Sequence, residues 1–142
     1  MPEHVLTLAQ RFPQLRLNMA HFALSDNSIL ERLSQYPNIF VDSSPLLYLS
    51  DMAKEGSRWV TEPNYISVDS PALTLLEYYM RHKSQFMWGT DEPWTKMITP
   101  DGITRSNHSY QEEVAALEAL HHIMPIAVRD IAQDNTLRFL FG

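Results

Sequence analysis

Cysteine is absent from the 142 residues, which excludes disulfides, thiolate metal sites and a cysteine nucleophile. Also absent is any apolar run approaching the ~20 residues that a membrane span needs. The N-terminus lacks the apolar segment of a signal peptide, so a soluble cytoplasmic protein is the expectation. Positive charge is scarce: 11 Lys and Arg face 17 Asp and Glu, for a net charge of -6. With a pI near 5.4, no basic patch offers itself to nucleic acid or to an anionic membrane surface. Internal repeats and low-complexity segments are missing as well. What remains is globular. Hydrophobic residues make up 44%, with 3 Trp, 6 Tyr and 6 Phe, which argues against disorder. The length suits one domain, residues 1–142, with a sizeable core.

The most informative stretch is Gln85 to Trp94, QFMWGTDEPW. The apolar run Phe86-Met87-Trp88 stops at Gly89-Thr90, Asp91 follows, and Glu92-Pro93 turns the chain. This reads as a short buried strand whose carboxyl end carries an acid. In α/β proteins ligands bind at that end of the sheet.

Upstream, Val5, Leu6 and Ala9 have helical spacing over residues 3–11, and Pro13 ends the pattern. Leu15, Leu17, Met19 and His21 then alternate, predicting a strand from Gln14 to His21. Asp26-Asn27-Ser28 offers an N-cap for a short helix carrying Ile29, Leu30 and Leu33. Ile39 to Asp42 predicts a second strand that again ends on an acid, and Ser43-Ser44-Pro45 turns away from it. Residues 46–70 read as an insertion with a loop, although Leu46 to Met52 has some helical character. Ser70 and Pro71 mark a clear helix start, with Leu73, Leu76, Tyr79 and Met80 as its buried face. The third strand is Gln85 to Gly89. Residues 95–108 are polar and contain Pro100 and Gly102, so they read as a loop. Ser109 to His122 is the longest helical stretch, with Val114, Leu117, Leu120 and Met124 on one side. Pro125 interrupts it, Ile126 to Ala132 resumes, and Asp134-Asn135 leads into a short terminal helix.

Strands alternating with helices predict parallel pairing through right-handed crossovers. The expected fold class is α/β: a partial TIM-type barrel of about three parallel strands. Arg16 and Asn18 interrupt the first strand, so either it is an edge with one wet face or those side chains meet polar partners on a neighbouring helix.

The carboxyl ends of the expected strands carry His21, Asp42 and Asp91. RFPQLRLNMAH, YPNIFVDSS, FMWGTDEPW and DNTLRFLFG occur in that order, and together they resemble the last three βα units of the amidohydrolase-related family. These are metal-dependent (β/α)8-barrel hydrolases and decarboxylases. The resemblance runs from about residue 8 to 142, apart from the stretches near 46–68 and 95–108. It implies that His21 sits beside a metal and contacts substrate or the activated water. It implies that Asp91 binds the metal and acts as a base, so the catalytic and the metal-ligating residues are the same pair. Asn135 is implied to be structural, and Asp42 matches a position without a fixed catalytic role. The parent activity is hydrolysis of C–N or C–O bonds, or non-oxidative decarboxylation of a small carboxylate.

The chain departs from the family in three places. The His-x-His pair of the first strand and the histidine of the fifth have no counterpart among its 6 histidines. Phe22-Ala23-Leu24 follows His21 where the family has a His-Gly-Gly-like turn. A catalytic zinc site takes three protein ligands and an open position. The divalent metal of the parent family, zinc first, is therefore not expected to bind tightly to this chain alone. The chain by itself is expected to be incomplete and inactive.

Other residues have plainer readings. Asp91 can be a turn aspartate bonding its own backbone, and His21 a satisfied strand-end histidine. His121 and His122 suit a helix surface near its C-terminus, and His108 a solvated loop. Trp59, Trp88 and Trp94 read as core and rim packing, and Glu112, Glu113 and Glu118 as a solvated helix face. A second reading of the whole is a catalytically dead α/β module that assembles through exposed strand edges, as a homo-oligomer or with a complementing chain. A third is an unrelated α/β binding domain, which a shuffled strand order or antiparallel pairing would favour.

Overall fold

The computed structural model describes residues 2–54, 70–91, 96–98, 104–106 and 109–142. Helix α1, Pro2–Arg11, buries Leu6 and Ala9 and leads into strand β1, Leu17–Met19. Helix α2, Asn27–Leu30, starts at Asp26, whose carboxylate accepts the Ser28 N–H at 3.0 Å. Strand β2, Ile39–Asp42, has the expected bounds. After it come α3 (Leu46–Lys54), α4 (Pro71–His82) and strand β3 (Phe86–Met87). Strands β4 (Lys96–Ile98) and β5 (Thr104–Ser106) form an antiparallel pair. Helices α5 (Tyr110–Ile123), α6 (Pro125–Arg129) and α7 (Asn135–Phe141) complete the described chain, with a π turn at Asp130–Asp134 before α7. No helix among the described residues is long and apolar enough to cross a membrane.

The class is α/β. The main sheet has the order β1-β2-β3, parallel throughout, with Leu17 opposite Ile39 and Val41 opposite Phe86. Ile39, Val41 and Phe86 are fully buried in a core with Leu6, Leu30, Leu33 and Leu75 from the helices. The next residue along β2, Phe40, meets Phe139 of α7 edge-on at 5.4 Å. Alternation along the strand thus sends one set of side chains to α1, α2 and α4 and the other to α7.

Three buried amides fasten the amino ends of these strands. Asn38, just before β2, donates to the Ala9, Phe12 and Leu15 carbonyls at 3.2, 3.4 and 2.9 Å. Gln85, just before β3, donates to the Leu33, Tyr36 and Ile39 carbonyls at 3.0, 2.8 and 2.7 Å. Asn135 opens α7 and donates to the Lys83 and Phe86 carbonyls at 2.7 and 2.6 Å. Each amide reaches back to the turn that precedes the previous strand or its own neighbour strand. Arg138 adds a bond to the Ser84 carbonyl at 2.8 Å, and Arg16 before β1 donates to the Leu140 carbonyl at 3.2 Å. Helix α7 therefore straps the amino-end side of the sheet from β3 to β1.

Several expectations are corrected. The first strand is shorter than Gln14 to His21: the chain leaves the sheet after Met19 and forms a tight 3₁₀ turn at His21–Ser25. The reason is Phe22, which is fully buried against Tyr78 at 4.3 Å and Phe86 at 5.6 Å. Leu46 to Lys54 is a helix and not part of a loop. Its start is capped from far away, the Glu113 carboxylate accepting the Leu47 N–H at 3.0 Å. Glu113 is accordingly buried, whereas Glu112 serves the capping box with Ser109. The buried face of α4 is Ala72, Thr74, Leu75, Tyr78 and Tyr79, while Leu73 and Met80 are 48% and 51% exposed. That helix is apolar around most of its circumference, and the ring packing of Tyr78 on Phe22 and Phe86 decides its rotation. The expected loop at 95–108 contains β4 and β5, which are too short for alternation to show. The arginine-flanked stretch after Pro125 widens into the π turn, whose Ile131 carbonyl accepts the Trp88 N–H at 2.9 Å. Asn18 lies on an edge strand and finds its partner on β2, whereas Arg16, just before that strand, meets a carbonyl of helix α7.

The amide fastenings carry a stability prediction. Gln85→Leu keeps the volume but deletes three buried hydrogen bonds, and is expected to cost on the order of 3 kcal/mol in urea unfolding. Lys54→Ala removes an exposed ion pair with Asp51 and is expected to cost less than ~0.5 kcal/mol. Equal costs would refute the assignment.

His82 supplies a second prediction. Burial, and then the nearby Arg81 charge, lower its pKa from 6.5 to about 4. Between those values the unfolded chain binds a proton that the folded chain refuses, so stability rises with pH across that window. Unfolding at fixed temperature is expected to become easier as pH falls from about 6.5 towards 4, and His82→Gln to flatten that slope.

Candidate functional site

The carboxyl ends of β1 and β2 meet at one carboxylate. Asp42 closes β2, and its Oδ1 accepts the Ser44 N–H at 3.0 Å, the Ser44 hydroxyl, and the His21 N–H at 3.4 Å. Its Oδ2 accepts the Asn18 side-chain amide. A carboxylate offers about four acceptor positions, and four donors meet it here. Three of these donors meet Oδ1 and one meets Oδ2, so Asp42 serves as a structural acceptor for the turn. Asp-Ser-Ser at a strand end is a turn-forming sequence, so the Asp42–Ser44 bonds were legible. The reach to Asn18 and His21 was not.

His21 leaves the sheet with φ at 61°, followed by Phe22 and Ala23 both at 52°. Three consecutive left-handed residues without glycine cost about 1–2 kcal/mol each. Full burial of a phenylalanine contributes about 1.5–3 kcal/mol, and each of its ring pairs about 0.5–1.5 kcal/mol. Phe22 therefore offsets much of the strain of the turn that holds His21. The imidazole is half-buried, and its Nδ1 lies within hydrogen-bond distance of the Ser44 carbonyl.

Strand β3 brings Gly89 against the same corner. The Gly89 N–H donates to Ser43 Oγ at 3.1 Å, and the Ser43 hydroxyl reaches the Gly89 carbonyl at 3.3 Å. A Cβ at position 89 would stand 3.2 Å from the Ser44 Cβ and 3.8 Å from the Asp42 carboxyl carbon. The absence of a side chain is what lets the end of β3 approach the turn. Asp91 follows, exposed, with φ at 61°, a conformation that aspartate tolerates in turns.

The structure thus brings His21 and Asp42 together, and Asp91 follows the end of β3 two residues after Gly89. No hydrogen bond or ion pair joins Asp91 to His21 or Asp42 among the described residues. Strand β2 lies between β1, which precedes His21, and β3, which precedes Asp91. Although a serine, a histidine and an aspartate are adjacent, their wiring is not that of a nucleophilic triad. The Ser44 hydroxyl donates to the carboxylate, and the imidazole Nδ1 faces a backbone carbonyl. Among the described residues no group of three or more His, Asp or Glu side chains stands ready to hold a metal ion. His21 and Asp91 alone do not meet the three-ligand requirement of a tight zinc centre. His121 and His122 are exposed in the last turn of α5, as expected, and Trp88 packs against the core. Glu92, Pro93, Trp94, Trp59 and His108 lie outside the described residues. Comparison with protein-family models, with curated proteins and with solved structures finds no match to this chain.

The tight approach of Gly89 is testable. Gly89→Ala is expected to cost about 1 kcal/mol through overpacking and to shift the amide resonances of Asp42 and Ser44 in heteronuclear NMR. Resonances of Asp42 and Ser44 that stay in place would show that β3 does not press on the turn.

Proposed function

We propose that this chain is the C-terminal portion of an amidohydrolase-like, metal-dependent (β/α)8 barrel. The complete barrel would catalyse hydrolysis of C–N or C–O bonds, or non-oxidative decarboxylation of a small carboxylate. His21 and Asp91 are its reaction-site residues in this reading. The observation that carries it is the strand order: consecutive, parallel strands with His21, Asp42 and Asp91 following their carboxyl ends. Sequential parallel strands joined by helices are what a TIM-type barrel is made of. The same order withdraws the support that an unrelated α/β domain would have drawn from shuffled or antiparallel strands.

The reading assigns the missing ligands to the strands this chain does not contain. Titration of the chain with Zn²⁺ by calorimetry is therefore expected to give no site tighter than micromolar, and a sub-micromolar site would contradict the proposal.

A second reading, an assembly module without catalysis, draws on exposed apolar side chains. Leu137, Leu140 and Phe141 of α7 and Leu15 beside the edge strand β1 all face outward, Phe141 at 78% exposure. Such surfaces and unpaired strand edges favour association. A stable monomer in light scattering at high concentration would count against this reading.

A further inference from the structure

We infer that Asp42 is a positioning residue that fixes which nitrogen of His21 carries the ring proton. A carbonyl oxygen only accepts hydrogen bonds, so the contact between His21 Nδ1 and the Ser44 carbonyl requires the proton on Nδ1. In the neutral ring the lone pair then sits on Nε2, the nitrogen left for a substrate proton or a metal ion. The Ser44 carbonyl is itself held in place. Asp42 grips Ser44 twice, through its N–H at 3.0 Å and through its hydroxyl, and grips the backbone of His21 at 3.4 Å. One carboxylate thereby holds both the His21 backbone and the carbonyl that selects the tautomer of its ring.

Removing the hydroxyl of Ser44 deletes one of these bonds and leaves the carbonyl and the N–H. Removing the carboxylate releases the turn and the His21 backbone at once. Asp42 is therefore the residue on which the tautomer depends. Its role in chemistry rests on reading His21 as a reaction-site residue, whereas its effect on the tautomer does not.

The test is long-range ¹H–¹⁵N correlation of the full chain labelled at histidine, recorded at pH 8, with His21→Gln assigning the resonance. The native chain is expected to hold the Nδ1–H form over the Nε2–H form by roughly tenfold, the weight of one net hydrogen bond. Ser44→Ala is expected to keep that preference. Asp42→Ala is expected to abolish it, and Asp42→Asn, which replaces one acceptor oxygen, to reduce it about threefold. An Nε2–H form in the native chain overturns the inference. So does an unchanged ratio in folded Asp42→Ala or, should that variant not fold, in Asp42→Asn. An Asp42-dependent tautomer together with sub-micromolar zinc affinity would sink the functional reading and leave this inference standing.

Discussion

The structure depends on side-chain amides donating into the carbonyls of turns that precede its strands. A helix leaves its last carbonyls without intrahelical partners, and in a parallel α/β arrangement those helix ends feed the amino ends of the strands. Asn38 and Gln85 each stand one residue before a strand, and each spreads its amide over carbonyls of the turn before the preceding strand. Asn135 does the same from α7, reaching the turn that enters β3. The device is iterated: every unit closes the turn of the one before it. Since buried polar groups are costly only when left unpaired, placing donor-rich amides there turns a liability of the fold into its register mark.

At the opposite end of the sheet the polarity reverses. Strands there feed the starts of helices, which present N–H groups without partners. The groups that meet them are acceptors. Asp26 accepts from Ser28, Ser70 from Leu73 and Ser109 from Glu112, while Glu113 reaches across to Leu47. Asp42 belongs to this series, since it accepts the Ser44 N–H just ahead of α3. Acids accumulate at the carboxyl ends of the strands for this reason as well as for any chemistry. A strand-end aspartate is thus weak evidence for catalysis until its acceptor positions have been counted.

The same asymmetry explains what could be read from the sequence. β2, α5 and the starts of α4 and α7 were legible because their markers are local: a β-branched and aromatic run, a long apolar periodicity, Ser-Pro and Asp-Asn. The parallel order followed from the alternation of elements. The cap of α3 was not legible, since its acceptor lies 66 residues away on α5. Nor was the rotation of α4, which depends on which of two apolar stripes meets Phe22 and Phe86. At the site, strand-end position was enough to single out His21, Asp42 and Asp91. The contacts of His21 with Ser44 and Asp42 are made across the sheet, and alternation along one strand carries no trace of them.

The turn after β1 links these two halves. Phe22 lies fully buried among rings from α4 and β3, while His21, its neighbour, faces Ser44 and Asp42. Left-handed backbone at three residues that carry side chains persists only where surrounding contacts over-determine it. Here those contacts are aromatic on one side and a carboxylate on the other. His21 is consequently placed by the core as much as by its own hydrogen bonds. Glycine at these positions would relax the backbone at no steric cost, but it would give up the ring that ties the imidazole to the sheet. The turn is a strained one whose geometry is fixed by packing, and the orientation of a single histidine is what that rigidity determines.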